Sequence, residues 1–264
     1  MEFLGYAAAV LMGLSLGLIG GGGSILTVPI LVYLFRVEPV LATAYSLFVV
    51  GLTSAVGSFS HFRKGNVDVK TALIFGVPSI AGVYAIRKFV VPAIPDPFFS
   101  IGGFEVSKAF FVLALFAILM LLASYTMIRD TKPKAENSAA KNPKYWLIML
   151  EGIVVGGLTG LVGAGGGFLI IPALVLLAGL PMKQAVGTSL LIIAMKSLLG
   201  FTGDMGSGME IDYKFMLIFS AFAMVGILLG SYLSKFVSNE KLKPAFGWFV
   251  MVMGVYILVK EIFF

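Results

Sequence analysis

The chain lacks cysteine and carries little charge. Its 264 residues include no Cys, a single histidine, His61, and only 12% charged side chains. The missing thiols exclude disulfides and Cys-based metal or thiolate chemistry, and one imidazole cannot form a histidine metal cluster. Soluble domains carry about 25% charged residues. We therefore predict a membrane protein that is not an enzyme, with no catalytic residue, cofactor or metal site.

Long apolar runs, in contrast, are abundant. Hydrophobic residues make up 59% of the chain, and a helix that spans a bilayer needs about 20 predominantly apolar residues. This pattern predicts an all-α integral membrane protein whose main surroundings are the lipid bilayer. The runs lie near residues 3–35, 41–60, 70–88, 107–128, 145–178, 184–202, 214–235 and 243–263.

The net charge of +6 does not indicate a nucleic-acid partner. The Lys and Arg residues lie mostly in short loops between apolar runs, which is the usual pattern for orienting a membrane protein. The sequence has no basic stripe with interleaved aromatic residues, which is the footprint of nucleic-acid binding. We predict no nucleic-acid binding.

Two of the runs, 3–35 and 145–178, are too long for one crossing. A helix of 33 residues reaches about 50 Å, whereas the hydrocarbon core is about 30 Å thick. Glycine clusters interrupt both runs, as GGGGS at 20–24 and as GAGGG at 163–167. We predict that each run forms a nearly full helix, a glycine turn and a half-length helix. Ser24 is the predicted N-cap of the first half-helix.

The two broken runs belong to an internal repeat. A shift of 143 residues aligns the stretch 13–57 with 156–200, with 15 identities in 45 positions. A polar segment, RDTKPKAENSAAKNPK, separates the two copies and has the composition of a flexible linker. We predict a first transmembrane repeat at 1–128, a cytoplasmic linker at 129–144 and a second transmembrane repeat at 145–264.

The distribution of Lys and Arg favours one topology. If each broken run turns back at its glycines, one face of the membrane holds 12 Lys and Arg and the other holds 6, whereas straight crossings give 10 and 8. Positive residues accumulate on the cytoplasmic side. The sequence therefore predicts two inverted repeats of about four spanning helices, each opening with a Gly-broken re-entrant helix. Both termini are predicted to lie outside the cytoplasm.

The glycine turns are candidates for substrate binding. Unwound backbone at membrane depth is tolerated only where it lines a cavity or is buried in protein. The N–H groups and the dipole at the start of a helix attract anions, and two such ends would form an anion site near the midplane. The alternative is that the glycines only permit close helix crossing. The candidates are Gly20, Gly21, Gly22, Gly23, Ser24, Gly163, Gly165, Gly166 and Gly167.

A lysine inside a predicted span is the second feature. Lys196 lies in AVGTSLLIIAMKSLLGF, where a charge near the bilayer centre costs about 2.5–3.5 kcal/mol. Beside the turns it would attract an anionic substrate; the alternative is that it snorkels toward the interface. Thr53 aligns with it in the first repeat. Candidate hydroxyls, which could instead bond between helices, are Ser46, Ser54, Thr188, Ser189 and Ser197.

Other charged or titratable residues are predicted to be solvated. Glu151 lies about a turn and a half into its span, where a partly wet interfacial position is expected and proton coupling is the alternative. His61 lies at a span end, beside basic residues, where an interfacial position is expected and a role in gating or pH sensing is the alternative. Asp204, Glu210 and Asp212 fall in a short outer loop, where a solvated face is the expectation.

Four sequence motifs carry a family resemblance. GLIGGGGSILTVPIL and GLVGAGGGFLIIPALV are each followed by A-x-x-x-S-L, as ATAYSL and AVGTSL. SHFRKGNVD and LLGFTGDMGSGMEID come next in the two repeats. Over essentially its whole length the chain resembles the sulfite exporter TauE/SafE family, also called the toluene sulfonate uptake permease family.

The resemblance implies a transporter of the prokaryotic inner membrane that takes small sulfur-containing anions, such as sulfite, thiosulfate, sulfoacetate or other organosulfonates. Family members both export and import, so the direction does not transfer. The glycine turns and the TSL stretch at 188–190 are carried over as site candidates. For Lys196 the resemblance is less direct, because asparagine is also expected at that position.

The leading hypothesis is a secondary transporter with alternating access around the paired turns, since the chain has no ATPase motif. The expected partner is a small anionic substrate. Coupling to a proton or cation and assembly into a homo-oligomer are further expectations that the sequence leaves open. The alternatives are an anion channel, or a transporter of a different small anion such as a carboxylate.

Overall fold

The computed structural model describes residues 2–101, 104–129, 145–163, 165–205, 209–234 and 239–263. The predicted linker, apart from its first residue, lies outside these residues. The first half of the chain forms α1 (Glu2–Ile19), α2 (residues 21–34), α3 (Pro39–Arg63), α4 (Val69–Ala93) and α5 (Lys108–Arg129). The second half forms α6 (Tyr145–Val162), α7 (Gly167–Leu176), α8 (Met182–Phe201), α9 (Tyr213–Leu233) and α10 (Asn239–Phe263).

The short helix α2 is irregular. It begins as a 3₁₀ turn at Gly21–Leu26, continues as α-helix at Thr27–Pro29 and ends in a π turn at Ile30–Leu34. Such departures from α geometry are usually short and often occur at functional positions. The predicted breaks after Ile19 and Val162 are therefore present, and each is followed by a short apolar helix.

Among the residues that the structure describes, six helices are long and apolar enough to cross a membrane, by length and composition. They are α3, α4, the Lys108–Tyr125 part of α5, α6, α8 and α9. Large apolar side chains are exposed on their outer surfaces, for example Ile153 on α6 and Leu217 and Val225 on α9. Contiguous exposed apolar surface is rare on soluble monomers, so these faces fit a multi-pass membrane protein.

The prediction that the chain is all-α misses one small element. A two-stranded antiparallel hairpin, β1 (Phe99–Ile101) and β2 (Phe104–Val106), lies between α4 and α5. Both strands follow the apolar–polar–apolar alternation of a β-strand, as FSI and FEV. Pro95 and Pro97 precede the hairpin and are incompatible with a continuing helix.

Acidic caps fix where several of the helices begin. The Glu38 carboxylate accepts hydrogen bonds from the backbone N–H groups of Val40 and Leu41 at the start of α3. Asp68 caps α4 through Thr71 N, and Asp212 caps α9 in the same way. Each carboxylate satisfies N–H groups that a helix leaves unpaired in its first turn.

The chain reverses direction between α1 and α2. Phe35, just beyond α2, contacts Gly5 near the start of α1, and its ring lies 5.2 Å from that of Tyr6, centre to centre. At the other end of the pair, Gly23 packs against the backbone of Leu16. The two helices are therefore antiparallel and form a helical hairpin whose bend is the glycine cluster.

Close glycine contacts also fix the relative directions of the long helices. Gly13 faces Ala223 and Gly17 faces Gly230, so α1 and α9 run parallel. Helices α4 and α6 are also parallel, because Phe75 meets Gly152 and Ser79 meets Gly156. Helices α3 and α8 cross in opposite directions, with Leu198 at Gly51 and Leu190 at Gly57. Small residues allow these backbones to approach closely.

The helix pairings of the two halves correspond. Helix α1 packs on α9 as α6 packs on α4, and α3 packs on α9 as α8 packs on α4. The α3–α8 pair and the α5–α10 pair each join equivalent helices. The α1–α2 hairpin and the α6–α7 pair both contact the central α3–α8 pair, directly or through the glycine clusters, and the clusters are buried in the interior.

Candidate functional site

The two glycine turns meet inside the protein. A Cβ added at Gly21 would collide with the backbone of Gly167, and one added at Gly167 would collide with Gly21. Gly165 lies against Ser24 and Val50, and a Cβ added at Gly165 would lie 3.1 Å from the Ser24 Oγ. The clusters that sequence analysis singled out are thus in direct contact, and only residues without a Cβ allow that contact.

The second turn is built from left-handed residues. Gly163, Gly165 and Gly166 have φ values of 70°, 66° and 66°, which side chains with a Cβ adopt at a cost of about 1–2 kcal/mol. In the first turn, Gly20 has φ 77° and precedes the 3₁₀ turn that contains Gly22 and Gly23. Both turns therefore need glycine for backbone reasons as well as for space.

Lys196 is buried at the second turn. Its side chain is 0% exposed, and its Nζ donates a hydrogen bond to Thr159 Oγ1 at 2.8 Å. A Cβ at Gly166 would lie 2.9 Å from the same Nζ. No carboxylate of the described residues forms an ion pair with this lysine. Lys196 therefore faces the turn, not an interface, and part of its hydrogen-bonding capacity is unused.

Thr159 is a site residue that sequence analysis missed. Its Oγ1 donates to the Val155 carbonyl oxygen at 2.7 Å while it accepts from Lys196. These two bonds hold the ammonium group at a fixed position beside the turn. A signal was present in the sequence, because Thr159 is the only Ser or Thr in the stretch 145–163.

Two serines stabilise the turns themselves. Ser46 Oγ donates to the Gly163 carbonyl oxygen at 2.6 Å and so links α3 to the second turn. Ser24 Oγ donates to the Gly21 carbonyl oxygen at 2.7 Å. The prediction that Ser24 is an N-cap is wrong: the 3₁₀ turn begins at Gly21, so Ser24 lies inside it and Gly20 occupies the cap position.

Two other candidates form hydrogen bonds with groups outside the turns. Thr188 Oγ1 accepts from the backbone N–H of Asp68 at 2.9 Å and so supports the start of α4. Its counterpart, Tyr45, accepts from the N–H of Asp212 at 2.7 Å at the start of α9. Ser189 Oγ donates to the Val186 carbonyl oxygen of its own helix at 2.8 Å. Their bonds are those of helix packing.

Three further hydroxyls lie near the crossing of α3 and α8. Thr53, Ser54 and Ser197 are all 0% exposed. None of their hydroxyl oxygens has a hydrogen-bond partner within the described part of the chain. Buried hydroxyls are normally hydrogen-bonded, so these three are available to a polar ligand that enters the crossing.

Comparison with known proteins shows the family of this chain. The sequence profile described as "Sulfite exporter TauE/SafE" matches residues 5–257. The chain belongs to the sulfite exporter TauE/SafE family. No solved structure matches it significantly.

Curated relatives of this TauE/SafE protein are named as membrane transporters. A "Probable membrane transporter protein" of Xylella fastidiosa is 30% identical over 94% of this chain and 91% of its own. The Bacillus subtilis protein YdhB, with the same description, is 28% identical over 94% and 96% of the two chains. A relative from Methanocaldococcus jannaschii is 26% identical over 95% and 94%. The family is thus one of membrane transporters, and its name fits anion transport and sulfur metabolism.

The TauE/SafE chain also contains a buried ion pair. Arg87 of α4 donates from Nη1 to Asp204 Oδ1 at 3.4 Å, and both side chains are 0% exposed. The predicted solvated position of Asp204 is therefore wrong, because α4 covers the loop that follows α8. Burial raises the pKa of the Asp204 carboxyl, and the Arg87 charge opposes that shift. No three His, Asp or Glu side chains of the described residues converge as a metal site would require.

Proposed function

We propose that this protein is a secondary transporter of small sulfur-containing anions, such as sulfite, thiosulfate or an organosulfonate, in the prokaryotic inner membrane. The observation that carries the proposal is Lys196, a fully buried lysine that faces a glycine turn and has no acidic partner among the described residues. A buried charge is normally paired. A substrate anion would supply the missing countercharge.

The surroundings of Lys196 favour a small oxyanion. Backbone N–H groups at the start of α7 and the positive end of its dipole favour negative charge. Thr53, Ser54 and Ser197 can donate hydrogen bonds to several oxygens of one ligand. The close contact of Gly21 with Gly167 leaves little space, which suits an anion of a few heavy atoms better than a bulky one.

The directions of the packed helices support inverted repeats. Helix α1 is parallel to α9, and α3 is antiparallel to α8. We take α8 and α9 as antiparallel because a short loop joins these consecutive spans, and α3 then runs parallel to α1. Helix α2 accordingly returns to the side where α1 began, as a re-entrant helix does. Helices α4 and α6 are parallel, and we take α3 and α4 as antiparallel because a short loop joins them. Helix α6 then runs antiparallel to α1, so the second half has the opposite orientation to the first.

This topology is consistent with the charge distribution. The face that carries the segments 61–70, 129–144, 179–184 and 235–243 would be cytoplasmic, since these segments hold 12 of the Lys and Arg residues. Both termini would lie outside the cytoplasm. Inverted repeats with paired broken helices at the midplane are a recurrent plan of secondary transporters, in which the halves rock around a fixed site. An ion gradient would supply the energy, with a proton or cation as the coupling ion.

Uptake by proteoliposomes tests the proposal. Purified protein is offered radiolabelled sulfite, thiosulfate, sulfate, a small sulfonate and chloride, and initial rates are measured against concentration. We expect saturable flux of at least one sulfur anion, which falls roughly tenfold or more in Lys196→Ala because a charge-assisted contact is lost. Lys183→Ala is the matched control, since Lys183 lies on the same helix but is exposed.

The outcomes separate the alternatives. Saturable flux that Lys196→Ala leaves intact would retain a transporter and remove Lys196 from the pathway. Flux that does not saturate and shows no counterflow would indicate an anion channel. Saturable flux of a carboxylate, added as a further substrate, without flux of any sulfur anion would replace the substrate class.

A further inference from the structure

Arg87 is buried, and two of its three guanidinium nitrogens have no hydrogen-bond partner among the described residues. Its side chain is 0% exposed, and its single hydrogen bond among the described residues joins Nη1 to Asp204 Oδ1 at 3.4 Å. Neither Nε nor Nη2 has a partner in the described part of the chain. A buried donor without a partner is destabilising by about 1–3 kcal/mol, and more when the group is charged.

The unused atoms are those that recognise oxyanions. The N–H groups of Nε and Nη2 lie along one edge of the planar guanidinium and point in the same direction. Such a fork binds two oxygens of one carboxylate, phosphate or similar anion by parallel hydrogen bonds. Asp204 contacts Nη1 at the other side of the group, where it partly neutralises the arginine and leaves the fork open.

Arg87 also lies in line with Lys196. Lys196, Gly200 and Gly203 are spaced along one stripe of α8 and the turn that follows it. Gly203 packs against Arg87, and a Cβ added at Gly203 would lie 3.0 Å from the Arg87 Cβ. A rise of 1.5 Å per residue puts the Lys196 and Gly203 levels roughly 10 Å apart along the helix axis. The two buried cations thus follow one another from the turns toward the end of α8.

A close contact between α4 and α8 lies at a level between the two cations. Val83 packs directly on Gly200, and a Cβ at Gly200 would overlap its Cγ1. Val83 and Arg87 are four residues apart on α4 and therefore share a face. A small displacement of α4 from α8 would open this contact and connect the Arg87 fork with the Lys196 site.

The second half has no equivalent of this arrangement at the opposite end. The 143-residue shift relates Arg87 to Gly230 and Asp204 to His61. Gly230 has no side chain and packs against Leu14 of α1. If the structure of the repeat required a buried arginine, both halves would have one, but only the first half does.

We propose that Arg87 forms a second oxyanion site, about one helical turn beyond Val83 and Gly200, which binds the anion through Nε and Nη2 before or after it reaches Lys196. This inference rests on the proposed function for the nature of the anion. Asp204 positions the guanidinium and keeps its contact with Nη1, since the anion uses the opposite edge.

Equilibrium dialysis of the detergent-purified, full-length protein tests the site. Radiolabelled sulfite, thiosulfate and phosphate are the probes. Lys196→Met removes the central charge, and we expect it to retain sulfite binding weakened about tenfold. Arg87→Lys keeps the charge but has no fork, so the double variant Lys196→Met/Arg87→Lys should lose the remaining binding. Lys88→Met, which removes the neighbouring exposed charge, is the control for net charge and should bind as the wild type does.

A second variant tests whether a loss of binding is caused by misfolding. Arg87→Met/Asp204→Leu replaces the buried pair by apolar groups, a change that is often neutral or stabilising. In the Lys196→Met background it should keep the wild-type elution profile and thermal stability and still bind no sulfite. Asp204→Asn should retain sulfite binding, because it leaves the fork intact.

The readouts distinguish this inference from the proposed function. If wild-type protein binds sulfite and Lys196→Met binds none, while Arg87→Lys binds as the wild type does, Arg87 is a structural residue and the inference is wrong. Phosphate binding that depends on Arg87, without binding of any sulfur anion, would sustain the second site and overturn the substrate class. Absence of binding for all three probes would overturn both.

Discussion

The two glycine turns occupy corresponding positions 143 residues apart, yet their surroundings differ. Beside the second turn, Lys196 donates a hydrogen bond to Thr159 at 2.8 Å. The corresponding residues of the first half are Thr53 and Leu16, a neutral hydroxyl and an alkyl group. The second turn therefore has a buried full charge with a polar partner, whereas the first has neither.

The backbone conformations of the two glycine turns also differ. Three residues of the second turn are left-handed, Gly163, Gly165 and Gly166, whereas the first turn has only Gly20 at positive φ and enters a 3₁₀ turn at once. Left-handed residues next to right-handed ones can aim N–H groups into a concavity that binds anions. The duplicated halves have therefore diverged, and the features that favour an anion in the proposed function are concentrated at the second turn.

A buried charge introduced into the first half is expected to have the largest effect on stability. Thr53→Lys would bury a second ammonium group in the first half, where the position that corresponds to Thr159 is Leu16, a residue without an acceptor. An uncompensated buried charge destabilises by about 3–5 kcal/mol, so we expect a large fall in the thermal unfolding midpoint of the purified protein. Leu16→Thr/Thr53→Lys supplies the missing hydroxyl and should recover part of the loss. A Thr53→Lys variant as stable as the wild type would show that the two surroundings are equivalent.

Adding a side chain at the second turn should have the next largest effect. Gly166→Ala introduces strain at φ 66° of about 1–2 kcal/mol, and its Cβ would lie 2.9 Å from the Lys196 Nζ. Gly179→Ala is the matched control, because Gly179 has φ 67° but a Cβ added there would meet no atom within 4 Å. We expect both variants to lose stability, measured by thermal unfolding, and only Gly166→Ala to lose anion flux. Equal losses of flux would mean that strain alone is responsible.

The sequence predicted the features of the turns that depend on local pattern. The apolar runs 3–35 and 145–178 are longer than one crossing helix can be, because each helical residue adds a fixed rise. This excess length predicted a break in each run. The repeat then paired the breaks, and their contact through Gly21 and Gly167 agrees with a shared site. For Lys196 the sequence left a position at the turns and snorkelling to the interface as alternatives, and the structure buries its side chain.

Other features depended on contacts between distant segments. Asp204 is hidden by α4, and Arg87, which the sequence did not single out, is equally buried. Thr159 acquires its role from a lysine 37 residues later. The cap assigned to Ser24 failed because the 3₁₀ turn starts three residues before it. A hydropathy pattern describes one stretch of sequence and does not predict contacts between distant residues.

The smallest expected effect concerns the hydroxyl that holds Lys196. Thr159→Val keeps the shape of the side chain and removes the acceptor, so Lys196 loses its one hydrogen bond among the described residues. A hydrogen bond to a charged group contributes about 1.5–3 kcal/mol. Because an incoming anion would compensate part of this, we expect kcat/KM for sulfite flux to fall about tenfold, mainly through KM. Leu16→Thr adds the same hydroxyl at the first turn and should change flux less than about twofold, since no lysine lies there to use it. If Leu16→Thr altered KM as much as Thr159→Val, the first turn would contact the anion as closely as the second, and the proposal that the anion binds mainly at the second turn would have to be abandoned.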